Sequence, residues 1–89
     1  MPYYVYILES EKDGTYYKGF STDPGMRFVR HNRGETSSTR HLVPWKLVYV
    51  ELMATKSEAL IRERNLKKAT RERIQALLLH SKNIYRDFV

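Results

Sequence analysis

The sequence has no cysteine, so neither a disulfide nor a thiolate metal site can hold it together, which fits a reducing compartment. It also has no apolar run near the length needed to cross a bilayer. The opening residues Met1-Pro2-Tyr3-Tyr4 lack the basic flank and small-residue cleavage site of a signal peptide. A cytoplasmic protein with no membrane partner is expected. Internal repeats and low-complexity tracts are absent as well. What remains is 89 residues, 42% hydrophobic and 29% charged, the composition of an ordered globular chain with room for one domain, 1–89, and little stability to spare.

Acidic charge is the other shortage. The net charge is +6, and it is unevenly placed: residues 1–45 hold six Lys/Arg against five acids, residues 46–89 ten against five. Most of the excess lies between Lys56 and Arg73. A polyanionic partner is one reading of that stretch and a solvated helix face is the other.

The richest local signal comes early. Tyr3-Tyr4-Val5-Tyr6-Ile7-Leu8 and Thr15-Tyr16-Tyr17-Lys18-Gly19-Phe20 are dense in aromatic and β-branched residues, and Asp13-Gly14 between them offers the positive φ of a hairpin turn. Alternation puts Tyr4, Tyr6 and Leu8 on one face and Val5 and Ile7 on the other, with Tyr17 facing opposite to Tyr16 and Lys18. A tyrosine from each strand can then converge. Asp23 before Pro24 starts a helix running to about Arg33, with Gly34 as its left-handed stop. Phe28 is its expected core residue, flanked by Met26 and Val29, while Arg27 and His31, four apart, share a face. Glu35 to Val43, which carries Arg40 and His41, reads as a surface loop.

Pro44-Trp45-Lys46-Leu47-Val48-Tyr49-Val50-Glu51 predicts a third strand, with Trp45, Leu47 and Tyr49 on one side and Val48 and Val50 on the other. Thr55-Lys56-Ser57-Glu58 matches a capping box. The helix behind it has Leu60 and Leu66 as its expected buried stripe, and Glu63, three residues from each, turns its carboxylate toward the core side. Thr70 caps a third helix over roughly Arg71 to Ser81, with Ile74, Leu77 and Leu78 inward. The order is β-β-α-β-α-α. The last residues, with Ile84, Tyr85 and Phe88, either dock or fray.

With these elements in place, the sequence resembles the GIY-YIG nuclease family over nearly its whole length. Tyr4-Val5-Tyr6 stands for the first motif and Tyr17-Lys18-Gly19 for the second, with ten residues between Tyr6 and Tyr17. Arg27, His31 and Glu63 fall where that family carries its arginine, its histidine or tyrosine, and its metal-binding glutamate. Ser38-Thr39-Arg40 and Pro44-Trp45-Lys46-Leu47-Val48-Tyr49 are similar to the small, single-domain bacterial branch of YhbQ/YazA type. The resemblance implies an α+β fold, a small three-stranded antiparallel sheet flanked by helices. It also implies endonuclease chemistry, the hydrolysis of DNA phosphodiesters with one divalent cation, Mg2+ or Mn2+. On that reading Glu63 holds the cation through a carboxylate oxygen, Arg27 stabilises charge on the phosphoryl group with its planar fork, Tyr6 and Tyr17 are candidates to activate water, and His31 orients a tyrosine or relays its proton. Lys18, Arg40, Arg62, Lys67, Lys68 and Arg71 are the expected nucleic-acid contacts, DNA before RNA.

Two positions depart from the motifs, Tyr4 for the opening glycine and Lys18 for an aliphatic centre. Asn83 is the only late asparagine that larger members' C-terminal asparagine can be compared with. Each candidate also has a plain structural reading: Tyr6 and Tyr17 as cross-strand packing, Arg27 and His31 as a solvated face, Glu63 as a surface ion pair with Lys67. Three functions compete. One is a metal-dependent, structure-selective DNA endonuclease in repair or processing; the second is a nucleic-acid-binding module on the same fold that cleaves little or nothing; the third is a module for a protein partner whose charge serves solubility.

Overall fold

The computed structural model describes residues 2–89. The chain forms β1 (Tyr3–Ser10), β2 (Tyr16–Ser21), α1 (Pro24–Asn32), β3 (Trp45–Met53), α2 (Lys56–Lys68) and α3 (Arg71–Leu78), with short 3-10 turns at Arg40–Leu42 and Tyr85–Phe88. This is the expected α+β order. The strands make one antiparallel sheet in the order β2-β1-β3. In the hairpin turn only Gly14 has a positive φ, 81°. Asp13 contributes its carboxylate, which accepts the Thr15 N–H at 2.9 Å.

The central strand β1 is buried on both faces. Val5 and Ile7 meet Tyr49 of β3, Ala59 and Leu66 of α2 and Ile74 of α3 in one core. Tyr6 and Leu8 face the other way, into a second core with Trp45, Leu47 and Val50, covered by Phe28, Leu42, Val43, Ile84, Tyr85 and Phe88. Burying a side chain of this size contributes about 1.5–3 kcal/mol, so β1 anchors both layers. The C-terminal segment docks instead of fraying, with the Phe88 ring edge-on to Tyr4 at 5.1 Å.

Strict alternation along β3 fails at one place. The register with β1 shifts between Ile7, opposite Tyr49, and Leu8, opposite Leu47, so Val48 is an inserted residue. A bulge re-phases every side chain beyond it. Trp45 and Leu47 therefore share the face of Tyr6 with Val50, while Tyr49 joins the opposite core.

The helices start where expected and differ in which residues they bury. Asp23 accepts the Met26 N–H at 3.1 Å, and α1 ends in a Schellman closure in which the Gly34 and Glu35 N–H groups bond back to the His31 and Arg30 carbonyls. Its fully buried residues are Pro24 and His31; Phe28 is half-buried, and Met26 and Val29 are exposed. In α2, capped by Thr55 onto the Glu58 N–H at 3.1 Å, the buried stripe is Ala59 and Leu66 while Leu60 is exposed. The small Ala59 lets the helix lie close to the sheet. Thr70 caps α3 onto the Arg73 N–H at 3.2 Å. That helix stops at Leu78, short of Ser81, because the Asn83 amide takes the Leu78 carbonyl at 3.0 Å and the chain turns back toward β3.

Two asparagines finish the outer edge of β3. Asn32 accepts the Trp45 N–H at 2.6 Å and donates to the Trp45 carbonyl at 3.0 Å, as a neighbouring strand would. Asn83 accepts the Val50 N–H at 3.0 Å and donates to the Val48 carbonyl at 2.9 Å, spanning the bulge. Its oxygen also accepts the Tyr85 N–H at 3.1 Å. The Asn83 side chain is thus fully occupied in holding the fold. Among the described residues no helix is long and apolar enough to cross a membrane.

Asn83→Ala leaves several backbone groups without partners at once, so it should lower the unfolding free energy by roughly 2–4 kcal/mol. Loss of one cap in Thr70→Ala should remove only about 1 kcal/mol. Urea titrations of the two variants check the ordering; an Asn83→Ala loss no larger than that of the cap variant would contradict the clamp.

Candidate active site

Because Tyr6 pairs with Gly19 and Leu8 with Tyr17, the two motif tyrosines stand diagonally on one face of the hairpin, ring centroids 6.4 Å apart. The Tyr6 ring lies over its cross-strand partner. A Cβ on Gly19 would come within 2.7 Å of the Tyr6 Cζ and hydroxyl oxygen, closer than side-chain atoms tolerate, so the glycine clears the path of the phenol. Its backbone conformation is an ordinary one; the requirement is space.

Tyr6 is 1% exposed and its hydroxyl must be paired inside the protein. The partner is His31, fully buried on α1, whose Nε2 lies 3.1 Å from the phenol oxygen. Tyr17 packs its ring 4.9 Å from the same imidazole and 6.3 Å from Trp45. The other ring nitrogen of His31, Nδ1, is 2.8 Å from the Thr39 hydroxyl. Thr39 is itself buried, although the segment Glu35 to Val43 reads in the sequence as a loop over the surface. Its carbonyl accepts the Trp45 indole N–H at 3.1 Å, which ties this dip in the loop to β3.

The electrostatics follow from burial and from Arg27. Burial pushes the Tyr6 phenol up to about 12, the Arg27 guanidinium beside it opposes that rise, and the charges of Tyr17 and Glu63 add to it. Burial, helped by the Arg27 charge, holds His31 down to about 4. At neutral pH the pair is a neutral phenol against a neutral imidazole.

Tyr6, Tyr17, Arg27 and His31 therefore come together. Glu63 arrives from α2, which packs on the opposite face of the sheet against β2 and β1, yet its charge is felt at the Tyr6 phenol. Its side chain is only 18% exposed and pairs with Lys67 at 3.6 Å. Among the described residues no three His, Cys, Asp or Glu side chains gather into a metal cage. A single carboxylate oxygen fits a cation that keeps most of its water, as Mg2+ does, and not one that needs a closed shell.

The expected nucleic-acid contacts separate into groups. Arg40, Lys67 and Lys68 are exposed. Lys18, opposite Ile7, faces the α2 side with Tyr16 and Phe20, and burial lowers its ammonium pKa. Arg62 is drawn inward: its Nε meets Glu51 Oε1 at 3.1 Å, where the Tyr49 hydroxyl also donates at 2.6 Å. Arg71 is tied to the hairpin, stacked 4.6 Å over Tyr16 and donating to the Gly14 carbonyl at 2.9 Å. A cleft of about 490 Å3 opens beside Arg62 between β3, α2 and α3. Tyr6 and His31 are not among its lining residues, so shape alone points away from the titratable cluster. Thr39 is the site residue that sequence reasoning passes over; the only sign of it is its place in Ser38-Thr39-Arg40.

Comparison with known proteins places the chain in a family. The family model described as the GIY-YIG catalytic domain matches residues 2–75. A UPF0213 protein of Staphylococcus saprophyticus is 40% identical over 72 residues, covering 80% of this chain and 87% of its own. Another from Haloquadratum walsbyi is 43% identical over 76 residues, with 84% of each chain covered. The solution NMR structure of the UPF0213 protein BH0048 from Bacillus halodurans superposes with a TM-score of 0.59 at 33% identity, over 98% of this chain and 93% of that one. With the paired tyrosines, the glycine beneath them and the family model spanning most of the sequence, the chain belongs to the GIY-YIG family, in its small UPF0213 branch.

Proposed function

We propose that this protein is a divalent-metal-dependent endonuclease that hydrolyses phosphodiester bonds in DNA, selecting substrates by structure more than by sequence, in a repair or processing role. The observation that carries the reading is the Tyr6–His31 hydrogen bond at 3.1 Å with the Arg27 charge acting on both partners. A phenol with a pKa near 12 is not ionised at neutral pH and cannot act alone as a base. Donating its proton to a neutral imidazole changes that. As an attacking water gives a proton to the phenol oxygen, the phenol passes its own to His31 Nε2.

Arg27 would bear on the charge that grows on the phosphoryl oxygens. Glu63 would hold Mg2+ or Mn2+, and such an ion, when bound, supplies polarisation of the phosphate and help in expelling the leaving oxygen. Exposed Arg40, Lys67 and Lys68 suit phosphate contacts, which bind without reading bases. All three helices pack one face on the sheet, and the phosphate contacts available to their basic residues carry no base information. Shape, ends and distortion are then what the domain can sense.

One observation favours the binding-only alternative: Lys67 already neutralises Glu63 at 3.6 Å. The two readings part in chelator. A metal-dependent nuclease nicks plasmid or branched DNA only when Mn2+ or Mg2+ is present, and Arg27→Ala and Glu63→Gln should each cut its kcat by roughly 10^2–10^3. Equal nicking by all three proteins would remove the assignment. Salt-sensitive binding in chelator with no cleavage in metal would leave the binding module.

The pH dependence has a definite sign. His31 has a folded pKa of about 4, below its ordinary 6.5, so burying it neutral contributes stability that is complete above about pH 6.5 and is lost as pH falls toward 4. The proton acceptor is likewise available down to that range. A rate profile should show no His31 step near 6.5, and an NMR titration should find the His31 ring neutral at pH 6. A midpoint near 6.5 would contradict the relay.

A further inference from the structure

We propose that Thr39 is a positioning residue that fixes the tautomer of His31, and so the direction in which the Tyr6 proton can move. The inference rests on the nuclease reading for its chemical use and on hydrogen-bond geometry for its content. A threonine hydroxyl has one proton and two lone pairs. The Thr39 hydroxyl has two neighbours, the Thr36 carbonyl at 3.4 Å and His31 Nδ1 at 2.8 Å; when its proton turns to the carbonyl, a lone pair faces Nδ1. In that arrangement Nδ1 carries the imidazole proton, which also gives the buried Tyr6 hydroxyl an acceptor for its own proton. Nε2 is left bare, and the only way to satisfy the 3.1 Å contact with Tyr6 is for the phenol to donate.

The alternative tautomer reverses the chain. With the proton on Nε2, the phenol would accept from His31, spend a lone pair on it, and have no path by which to hand over its own proton. Thr39 prevents this without contacting any reacting atom. It is held to do so: the residue is 2% exposed, its N–H donates to the Thr36 carbonyl at 3.1 Å, and its carbonyl accepts from both Leu42 N–H and the Trp45 indole at 3.1 Å. His31 is fully buried, so bulk water does not compete for either nitrogen. The Schellman turn at Gly34 ends α1 and lets the chain double back, bringing Thr39 under the imidazole.

The test is a long-range 1H–15N correlation spectrum of the full chain at pH 7, recorded without nucleic acid. The expected result is Nδ1 protonated and Nε2 bare in wild type and in Thr39→Ser, with that pattern lost or mixed in Thr39→Val. In the Mn2+ cleavage assay Thr39→Val should lower kcat by roughly 10-fold to 100-fold, within the range that general base catalysis supplies, with KM for DNA unchanged and Thr39→Ser close to wild type. A wild-type His31 protonated on Nε2 overturns the proposal. So does a Thr39→Val protein that keeps the Nδ1–H form and the wild-type kcat. If Thr39→Val does not fold, the wild-type and Thr39→Ser spectra still decide. Should the wild type not cleave DNA at all, the nuclease reading fails by itself, and the tautomer measurement continues to judge Thr39.

Discussion

A phenol sealed inside a protein has to give its proton to something, since leaving it unpaired there costs on the order of 1–3 kcal/mol. Tyr6 sits on the middle strand, almost entirely buried, and most of what surrounds it answers that demand. Gly19 makes room for the ring, α1 supplies an imidazole where an amphipathic helix would ordinarily bury an aliphatic side chain, and the loop after α1 bends inward to supply Thr39. Each link creates the next requirement. A buried histidine needs partners for two nitrogens, so the helix must be followed by a turn that returns a hydroxyl, and that hydroxyl must be anchored, here by Trp45. The network is complete: among the described residues no buried side-chain polar atom lacks a partner.

The sheet is managed by the same rule. Three strands leave two edges, and an edge of unpaired backbone groups invites other chains. Along β3, Asn32 and Asn83 stand in for a fourth strand at Trp45, Val48 and Val50, and the Ile84 N–H takes the Val50 carbonyl at 2.8 Å. The amide of Asn83 is committed to four backbone groups. Its role in this chain is architectural.

Much of the fold was readable from residues alone, because the signals were local. Asp13-Gly14, Asp23-Pro24, Gly34, Thr55 and Thr70 each act within a few residues, and each lies where it was expected to turn, cap or stop the chain. Faces of single strands were readable too, until the Val48 bulge, which depends on pairing with β1 and leaves no mark in β3 by itself. On α1 the expected core residue Phe28 packs half-buried on the second core, its flanking Met26 and Val29 are exposed, and His31 is fully buried because its partners Tyr6 and Thr39 come from distant parts of the sequence. Tyr6, Tyr17, Arg27, His31 and Glu63 are singled out by spacing and resemblance. That Arg62 and Arg71 serve Glu51 and the hairpin was not legible, since a basic run looks alike whether its members face solvent or carboxylates.

Every candidate catalytic side chain lies before residue 64, yet the layer over Tyr4 and Leu47 is closed by Ile84, Tyr85 and Phe88. Motif and folding unit therefore have different boundaries. A fragment cut just past Glu63 would retain every candidate site residue while baring an apolar face and leaving the Val48 and Val50 backbone groups without partners. The tail is as much part of the fold's foundation as the hairpin.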